Sequence, residues 1–373
     1  MVGKLNWTNT IFFGSYHLLL LILLPIYLLF FEQHLGLWLS MLVLVGICGV
    51  AITAGYHRFY AHRSYQLHPI AEIPLLFLGT LTIQGSVLKW ASDHRLHHRH
   101  VDTEKDPYCI EKGFWHAHFI WIIEQSATTY NPKVVHDLVK RKLLVLQDKH
   151  YLACVIASNA LVLVLFGWLF GSLFGAFVVM FLTRLFINHH TTWFINSLAH
   201  TWGVQPFSRE HSAVNNWVIS LLTYGEGYHN YHHTFANDYR NGVRWWQFDP
   251  GKFVIWSLSK IGLASNLRRV DRSLITEKLL AEDKKLLLEK VKEIGYVKLE
   301  ALEADIHKKA DALHEKIAAF KALVHEYQQV RKQKVKAKQL KKKMKVVKRS
   351  IRADLRAWGK FCDNVLAMKP SLA

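Results

Sequence analysis

The sequence predicts an all-α membrane protein with four transmembrane helices in two hairpins, an interfacial helix, a cytosolic helical cap and an amphipathic, coiled-coil-like C-terminal helical extension. Of its 373 residues, 51% are hydrophobic, and many of them form long uncharged runs. The chain also has 47 Lys and Arg against 28 Asp and Glu. Most of that excess lies at the C-terminal end. A high apolar content with segregated positive charge disfavours an ordinary soluble enzyme.

The first hairpin is predicted from two apolar runs near the N-terminus. Ile11–Phe31 contains no charged residue, and Leu35–Ala54 follows it after a short link. Because about 20 residues cross the hydrocarbon core, each run is long enough to span. The first run is too long for a cleaved signal peptide, and no small-residue cleavage site follows it.

The second hairpin is predicted within Tyr151–Thr183, which is uncharged and interrupted by glycines at residues 167 and 171. We expect its returning helix to continue through Arg184 and Asn188 towards His200. Neither hairpin link contains Lys or Arg, whereas the other segments outside the runs are rich in them. The positive-inside rule therefore predicts that both termini are cytoplasmic.

A fifth apolar stretch, Pro69–Leu88, includes polar residues such as Glu72 and Gln84. Histidines cluster both before this stretch, at residues 57 and 62, and after it, at residues 94, 97 and 98. If the stretch crossed the bilayer, these two clusters would lie on opposite faces of the membrane. Metal ligands lie about 2 Å from their ion, whereas the hydrocarbon core is about 30 Å thick. We therefore predict an interfacial or re-entrant helix here.

Residues 271–373 differ in composition from residues 1–270, and we predict a membrane domain followed by a basic helical extension. The extension has 26 Lys and Arg against 14 Asp and Glu. A 4-3-4-3 spacing of apolar residues predicts a helical seam: Ile306, Ala310, Leu313, Ile317, Phe320, Val324 and Tyr327. From Arg331 to Arg349 there are eleven basic residues and no acidic one. A solvated helix is the first interpretation and a helix on anionic lipid headgroups the second. A short basic run is not a nucleic-acid recognition fold, so we expect no nucleic-acid partner.

The 23 histidines include three clusters, each placed by the topology at the cytoplasmic face. The clusters are His57 and His62; His94, His97 and His98; and His229, His232 and His233. Spacings of three and four put the second and third clusters each on one helix face. The first pair is about 140° apart on an α-helix, so it needs a helix end or a loop to converge. On the last span, Thr192, Asn196 and His200 recur every four residues.

Clustered imidazoles favour iron, copper or zinc. The four cysteines have no C-x-x-C spacing, which excludes a disulfide framework and a thiolate site. Eight or nine imidazoles exceed one ion's coordination capacity, so two metals are predicted. An all-imidazole set favours iron that activates dioxygen to attack an unactivated C–H bond. A zinc hydrolase would need fewer ligands and an acid/base carboxylate.

Metal-bound imidazoles need partners for their second ring nitrogen. Asp93, Glu226 and Asp238 are close enough in sequence to serve. The alternative for each is an ion pair with a neighbouring arginine such as Arg95 or Arg240. The remaining candidates are interpreted as supporting, headgroup-facing or ordinary surface side chains: His68, His116, His118, His136, His189 and His190.

The segments HRFYAH, DHRLHH, NSLAH and EGYHNYHH occur in this order and at this spacing relative to four spans. This pattern resembles the integral-membrane fatty acyl desaturases of the stearoyl-CoA type, including bacterial members, over roughly residues 7–270. The resemblance implies a bundle in a bacterial inner membrane with a cytosolic cap that holds two iron ions. Nine ligands carry over: His57, His62, His94, His97, His98, His200, His229, His232 and His233. Asn196 matches the position that reaches an iron through water.

The implied reaction is the O₂-dependent insertion of a cis double bond, most often at carbon 9 of a saturated C16–C18 acyl chain. Family members bend that chain in a kinked tunnel, and Gln84, Trp90 and Thr192 match residues that line the kink. The tunnel's closed end lies beside the second span, where Val45 and Gly49 match positions that gate chain length.

Two departures from the animal enzymes leave the acyl carrier open. Ser92 stands where they have a basic residue, and Glu124 with Gln125 stands where they have adjacent basic residues near the CoA phosphates. Long-chain acyl-CoA and a lipid-linked acyl chain both remain candidates, and membrane lipids surround the protein.

No H-P-G-G haem motif occurs, so an external electron donor is expected: a ferredoxin, a rubredoxin or a cytochrome with its reductase. The main alternative function is a membrane fatty acid hydroxylase or alkane-type monooxygenase, whose histidine boxes are similar. A lipid-surface scaffold with vestigial boxes is a third interpretation, which the complete boxes disfavour.

Overall fold

The computed structural model describes residues 5–124, 130–294 and 299–368. Within these ranges, four helices are long and apolar enough to cross a membrane, as predicted: Trp7–Phe30, Leu35–Ala61, Tyr151–Leu169 and Leu173–His200. Short turns join the first to the second and the third to the fourth. Gly171 adopts a φ of +64° in the second turn, a conformation that glycine tolerates without steric cost.

Two of the spans contain π-helical segments. Helix α1 is Trp7–Phe30, and α2 is Leu35–Val50 with a π-helical continuation at Ala51–Ala61. The later elements are β1 (Gln66–Leu67), α3 (Pro69–Leu81), α4 (Val87–His100), a 3₁₀ turn (Ile110–Lys112), a π turn (His116–Ile120), α5 (Trp121–Glu124), α6 (Lys142–Lys149), α7 (Tyr151–Leu169), α8 (Leu173–Ala176), a π segment (Phe177–Thr183), α9 (Arg184–Ser197), a 3₁₀ turn (Leu198–His200), α10 (Trp217–Leu222), α11 (His229–Thr234), α12 (Pro250–Lys260), β2 (Ala264–Ser265), α13 (Arg272–Ile294), α14 (Leu299–Val330) and α15 (Lys334–Leu366).

The stretch predicted as one interfacial helix, Pro69–Leu88, is two elements. Helix α3 ends at Leu81, and the chain turns through Ile83 and Gly85, which have φ values of +54° and +97°. Ser86 then caps the N-terminus of α4. With 13 residues, α3 is about 20 Å long and does not reach across a core about 30 Å thick.

Arg184 lies inside the fourth span and is fully buried. Its guanidinium donates hydrogen bonds to the carbonyl oxygens of Met180 at 2.7 Å and Leu81 at 3.0 Å, and to the Asn159 side chain. A charge at membrane depth is costly unless such acceptors satisfy it. Arg184 therefore ties α9 to α7 and to the C-terminal end of α3.

The short strands β1 and β2 pair antiparallel, with Gln66 opposite Ser265 and Leu67 opposite Ala264. The His68 N–H also donates to the Leu263 carbonyl at 2.9 Å. This ladder joins the segment after the first histidine cluster to the segment after the third.

The chain divides into two compact units, Met1–Gln205 with Glu210–Arg269, and Pro206–Arg209 with Val270–Ala373. In the second unit, α13, α14 and α15 pack around one hydrophobic core. Ile306 and Ile317, at the two ends of the buried part of the predicted seam, lie in this core. Phe320 and later seam residues are only half-buried.

Candidate metal centre

The first histidine cluster lies where the second span ends. The N–H of His62 donates to the carbonyl oxygen of His57 at 3.0 Å, an i→i+5 bond of the π type. The two imidazole centroids are therefore only 4.7 Å apart. The sequence predicted that a helix end would be needed, and His62 is the C-cap residue. The π turn itself was not predicted, since the 140° separation assumed α-helical geometry.

The structure divides the nine predicted ligands into two groups, in each of which all ligand atoms lie within 4.8 Å of one another. The first group is His57, His62, His94, His98 and His232, and the second is His97, His200, His229 and His233. Helix α4 gives its i,i+4 pair to the first group and its third histidine to the second. Helix α11 gives its i,i+4 pair, His229 and His233, to the second group and His232 to the first. Two short helices thus contribute to both groups.

In each group the Nε2 atoms face one another. In the first, His62 and His94 are 2.8 Å apart, and His232 lies 2.9 Å from His57. In the second, His233 lies 3.2 Å from His97 and 3.1 Å from His229. Neighbouring ligand atoms are spaced in this way around an ion with metal–nitrogen bonds of about 2.1 Å.

His200 gives a separate test of whether the second group fits a metal ion. Its Nδ1 lies 2.7 Å from the Ser212 hydroxyl. Its Nε2 is buried and has no hydrogen-bond partner among the described residues. A buried polar atom without a partner is costly, and a bound ion would satisfy it. The second group therefore fits a metal ion.

Burial and the neighbouring imidazoles keep most of these histidines neutral. Burial first, and the adjacent imidazoles second, hold the pKa of seven of them well below its ordinary value: His62, His94, His97, His98, His229, His232 and His233. A neutral imidazole keeps a lone pair on one nitrogen, which metal coordination requires.

Glu226 contacts His57 from outside the first group; the sequence named Glu226 as an orienting residue without assigning it to this histidine. Its carboxylate lies 3.1 Å from His57 Nδ1 and 3.1 Å from the Arg58 guanidinium. Burial alone would raise the pKa of Glu226, but His57 and Arg58 outweigh it and lower the pKa below its ordinary value. Arg58 also pairs with Asp249 at 2.8 Å. The Nε2 of His57 is thereby directed into the group.

Four further side chains contact predicted ligands directly or through one another, and no sequence pattern singled them out. Both carboxylate oxygens of Asp106 lie 2.9 Å from His97 Nδ1. The Tyr108 hydroxyl lies 3.2 Å from His94 Nδ1. Asp102 accepts hydrogen bonds from the hydroxyl and the backbone N–H of Ser212, which in turn contacts His200.

The other two predicted orienting carboxylates form ion pairs. Asp93 accepts hydrogen bonds from Lys89 at 2.6 and 2.8 Å. Asp238 pairs with Arg240 at 2.6 Å and accepts from the Tyr231 hydroxyl at 2.7 Å. For Asp238 the ion pair is with the arginine that the sequence named as the alternative partner.

A cavity of about 570 Å³ adjoins both imidazole groups. His57 and His94 of the first group and His97 and His229 of the second line it. Much of its wall is apolar: Phe12, Phe13, Ile52, Trp121, Ile122, Leu152, Val155, Trp193 and Ile195. Asn196 also lines it.

The three residues expected at a tunnel kink line this same cavity. They are Gln84, Trp90 and Thr192, and the Gln84 amide donates to the Thr192 hydroxyl at 2.9 Å. Among the described residues, the cavity lining does not include Val45 or Gly49.

Comparison with known proteins identifies the family. The family model described as fatty acid desaturase matches residues 33–252. The acyl-CoA desaturase 1 of Saccharomyces cerevisiae is 34% identical over 265 residues, which cover 70% of this chain and 52% of the yeast protein. An sn-2 palmitoyl-lipid 9-desaturase of a Nostoc species is 35% identical over 269 residues, covering 71% of this chain and 90% of that protein.

The chain belongs to the fatty acid desaturase family. A probable acyl-CoA desaturase of Schizosaccharomyces pombe is 41% identical, and the match covers 64% of this chain and 50% of that protein. The chain thus spans about half the length of its yeast relatives. The family match includes all nine imidazoles, from His57 to His233.

Several histidines of this family member lie outside both groups. His189 Nδ1 lies 2.9 Å from the Tyr16 hydroxyl, and its Nε2 lies 2.7 Å from the Thr82 carbonyl. His190 contacts His118 at 3.1 Å. His68 caps α3, and His116 lies 3.6 Å from Glu124. His211, which no pattern singled out, packs 5.2 Å from the His233 ring.

The sequence differs from the animal desaturases at Ser92 and at Glu124 with Gln125, and the structure describes the first two of these residues. Ser92 is buried and accepts a hydrogen bond from the Asn131 N–H at 3.0 Å. Glu124 ends α5. Gln125, its predicted companion, lies outside the described residues.

The signal in the sequence for Asp102 and Asp106 is their proximity to the second histidine cluster, and it is not a specific one. They follow His98 by four and eight residues, a separation similar to that between His233 and Asp238. Proximity along the chain therefore did not distinguish the orienting carboxylates from the others.

Proposed function

We propose that this protein is an O₂-dependent fatty acyl desaturase that inserts a cis double bond at carbon 9 of a saturated C16–C18 chain. The observation that carries the proposal is the cavity. Its wall combines members of both imidazole groups with the Gln84–Thr192 hydrogen bond and Trp90. The acyl-CoA and lipid desaturases named among the relatives support the same reaction.

The proposed cofactors are two iron ions, one for each imidazole group, with Asn196 reaching one of them through water. Bound iron would supply dioxygen activation for the removal of hydrogen from two adjacent methylenes. The overall change takes one O₂, two external electrons and two protons, and it yields one double bond and two waters.

The residues behind the ligands fix which ring nitrogen faces inward. Glu226, Asp106 and the Ser212 hydroxyl each accept the Nδ1 proton of a different histidine, so that Nε2 keeps its lone pair. Such partners orient the ring and raise its basicity, and their loss typically costs 10- to 100-fold in metal affinity. Asp93 and Asp238 are proposed instead to stabilise the fold through their ion pairs with Lys89 and Arg240.

The cavity would position the acyl chain. Its apolar wall excludes water and favours a methylene chain over a polar one. The Gln84–Thr192 bond joins the turn before α4 to the last span, beside Trp90, and we propose that the chain bends there. Val45 and Gly49 are proposed to limit chain length from behind the lining.

The charge of the cavity favours a lipid-linked acyl chain over acyl-CoA. Lys89 is the sole Lys or Arg among the described lining residues, and it is paired with Asp93. Asp148 and Glu226 add negative charge. The phosphates of CoA would favour unpaired cations. Supplying the same stearoyl chain as a CoA thioester and as a phospholipid, with product analysis of each, separates the two carriers.

We further propose that the metal centre and both termini are cytoplasmic, in a bacterial inner membrane, and that residues 1–270 form the catalytic domain. Reducing equivalents would come from a separate ferredoxin, rubredoxin or cytochrome with its reductase. A small acidic carrier would dock on the basic cytoplasmic face, and its turnover would fall as ionic strength rises. A turnover with purified donor that is insensitive to salt would contradict this docking.

The central experiment is aerobic expression in a host that lacks desaturases, with mass spectrometry to locate any new double bond in the recovered lipids. We expect a carbon-9 alkene that is absent without oxygen. His97→Ala and His232→Ala, which affect one group each, should abolish it. A hydroxylated chain without an alkene would instead support a hydroxylase.

A further inference from the structure

One side of α15 carries a row of ten cations, which we call the cationic stripe: Lys334, Lys338, Lys341, Lys342, Lys345, Lys348, Arg349, Arg352, Arg356 and Lys360. At about 100° per residue they fall within an arc of roughly 120°. The row is about 40 Å long at 1.5 Å per residue. All ten side chains are exposed.

The ten stripe cations have no carboxylate partner among the described residues, whereas six other lysines of the extension do. Elsewhere in that unit, Lys284 pairs with Asp311, Lys316 with Asp354 and others similarly. Among the described residues, no Asp or Glu forms an ion pair with any member of the stripe. Lys341 additionally lies 5.5 Å from the Tyr327 ring centroid. Aligned like charges repel one another, and an external polyanion would remove that repulsion.

Two exposed valines lie along one edge of the stripe. Val335 is 73% exposed and Val346 is 67% exposed. They are eleven residues apart, so they point in nearly the same direction. The side of α15 that packs against α13 and α14 includes Leu340 and Trp358. This buried side borders the other edge of the stripe.

We propose that the cationic stripe binds the surface of an anionic lipid bilayer. A helix with cations beside exposed apolar side chains is the arrangement that lies in a membrane interface. The extension is covalently continuous with four helices that can span a membrane, so lipid headgroups are present at a high local concentration. A row of cations along one helix can contact a flat bilayer surface over its whole length. None of the stripe residues is aromatic, so the stripe itself offers no ring on which nucleic-acid bases could stack.

Lysine footprinting of the full-length protein tests this proposal. The protein is reconstituted in nanodiscs of phosphatidylcholine alone or mixed with phosphatidylglycerol, its amines are acylated, and each lysine is quantified by mass spectrometry. We expect labelling of Lys341 and Lys348 to fall about fivefold or more in the anionic nanodiscs. Lys336 and Lys343, on the opposite side of α15, should be labelled equally in both. Raising the salt to about 1 M, where the Debye length is about 3 Å, should remove the difference.

A matched pair of variants controls for charge. Lys338→Gln with Lys345→Gln removes two stripe cations, whereas Lys336→Gln with Lys343→Gln removes two from the opposite side of the same helix. The first double variant should lose protection at Lys341 and Lys348, and the second should keep it. Equal labelling of the wild-type stripe in both nanodiscs would overturn the proposal. So would protection that appears only when an acidic protein or a nucleic acid is added.

Discussion

The backbone N–H of His62 donates to the carbonyl oxygen of His57 at 3.0 Å, so the second span ends in a π turn. This bond brings two imidazoles that are five residues apart into one group with a histidine of α4, whose Nε2 lies 2.8 Å from that of His62. π-Helical turns are rare and frequently occur at functional sites. Here the turn supplies two of the five nitrogens of the first group.

Loss of one imidazole from either group should lower the iron content. We expect His62→Ala and His200→Ala each to reduce bound iron from about two ions to about one, since each removes a ligand from a different group. Inductively coupled plasma mass spectrometry of the purified protein measures this. His136→Ala, at an exposed position outside both groups, is the control and should keep both ions. Full iron loading of His62→Ala would contradict the assignment.

Asp106→Asn should weaken metal binding more than it weakens the fold. The amide removes the carboxylate that accepts the His97 Nδ1 proton, so we expect iron affinity to fall about 10- to 100-fold. Chelator competition measures the affinity. Asp238→Asn is a comparison at another buried carboxylate, one that pairs with Arg240. It should lower the melting temperature and leave the iron affinity close to that of the wild type; the reverse result would exchange the two roles.

Thr192→Val should disturb where the acyl chain reacts. Valine has nearly the shape of threonine but cannot accept the hydrogen bond from Gln84, so a partly buried donor loses its partner. Such losses cost about 1–3 kcal/mol, and we expect kcat/KM to fall about tenfold or more, with a mixture of double-bond positions. Thr191→Val is the control, because the Thr191 hydroxyl donates to the Ile187 carbonyl within the same helix. A single unchanged product from Thr192→Val would argue against the proposed bend.

Gly49→Ala should destabilise the protein. A Cβ atom at Gly49 would lie 2.1 Å from the Tyr224 ring, so either the ring or the helix must move. Overpacking of this kind costs about 1–3 kcal/mol. Gly46→Ala is the matched control in the same helix, because no atom lies within 4 Å of its added Cβ. Thermal unfolding in detergent should separate the two variants, and equal melting temperatures would show that Tyr224 moves without cost.

The spans and the histidine clusters were predictable because they depend on local patterns. Uncharged runs such as Ile11–Phe31 identify membrane helices, and the expected returning helix reaches His200 in the structure. The nine histidines follow from short repeated boxes. In the same way, the apolar seam that contains Ile306 indicated the packing face of α14.

The orienting residues were less predictable. Glu226 contacts His57 although they are 169 positions apart, and Asp102 reaches His200 through Ser212. Sequence proximity favoured Asp238, yet in the structure Asp106, which the sequence did not single out, contacts a predicted ligand and Asp238 pairs with Arg240. Hydrogen-bond partners of this kind depend on three-dimensional approach, which the order of residues does not encode directly.

The sequence by itself determined the membrane helices, the histidine set and the separate basic extension, because hydropathy, spacing and charge act over a few neighbouring residues. Only the tertiary structure decided that α4 and α11 each divide their histidines between two groups. It also decided that residues 69–88 form two elements joined by a turn. These features depend on backbone dihedrals and on packing between distant segments, where small changes in helix geometry move a side chain from one partner to another.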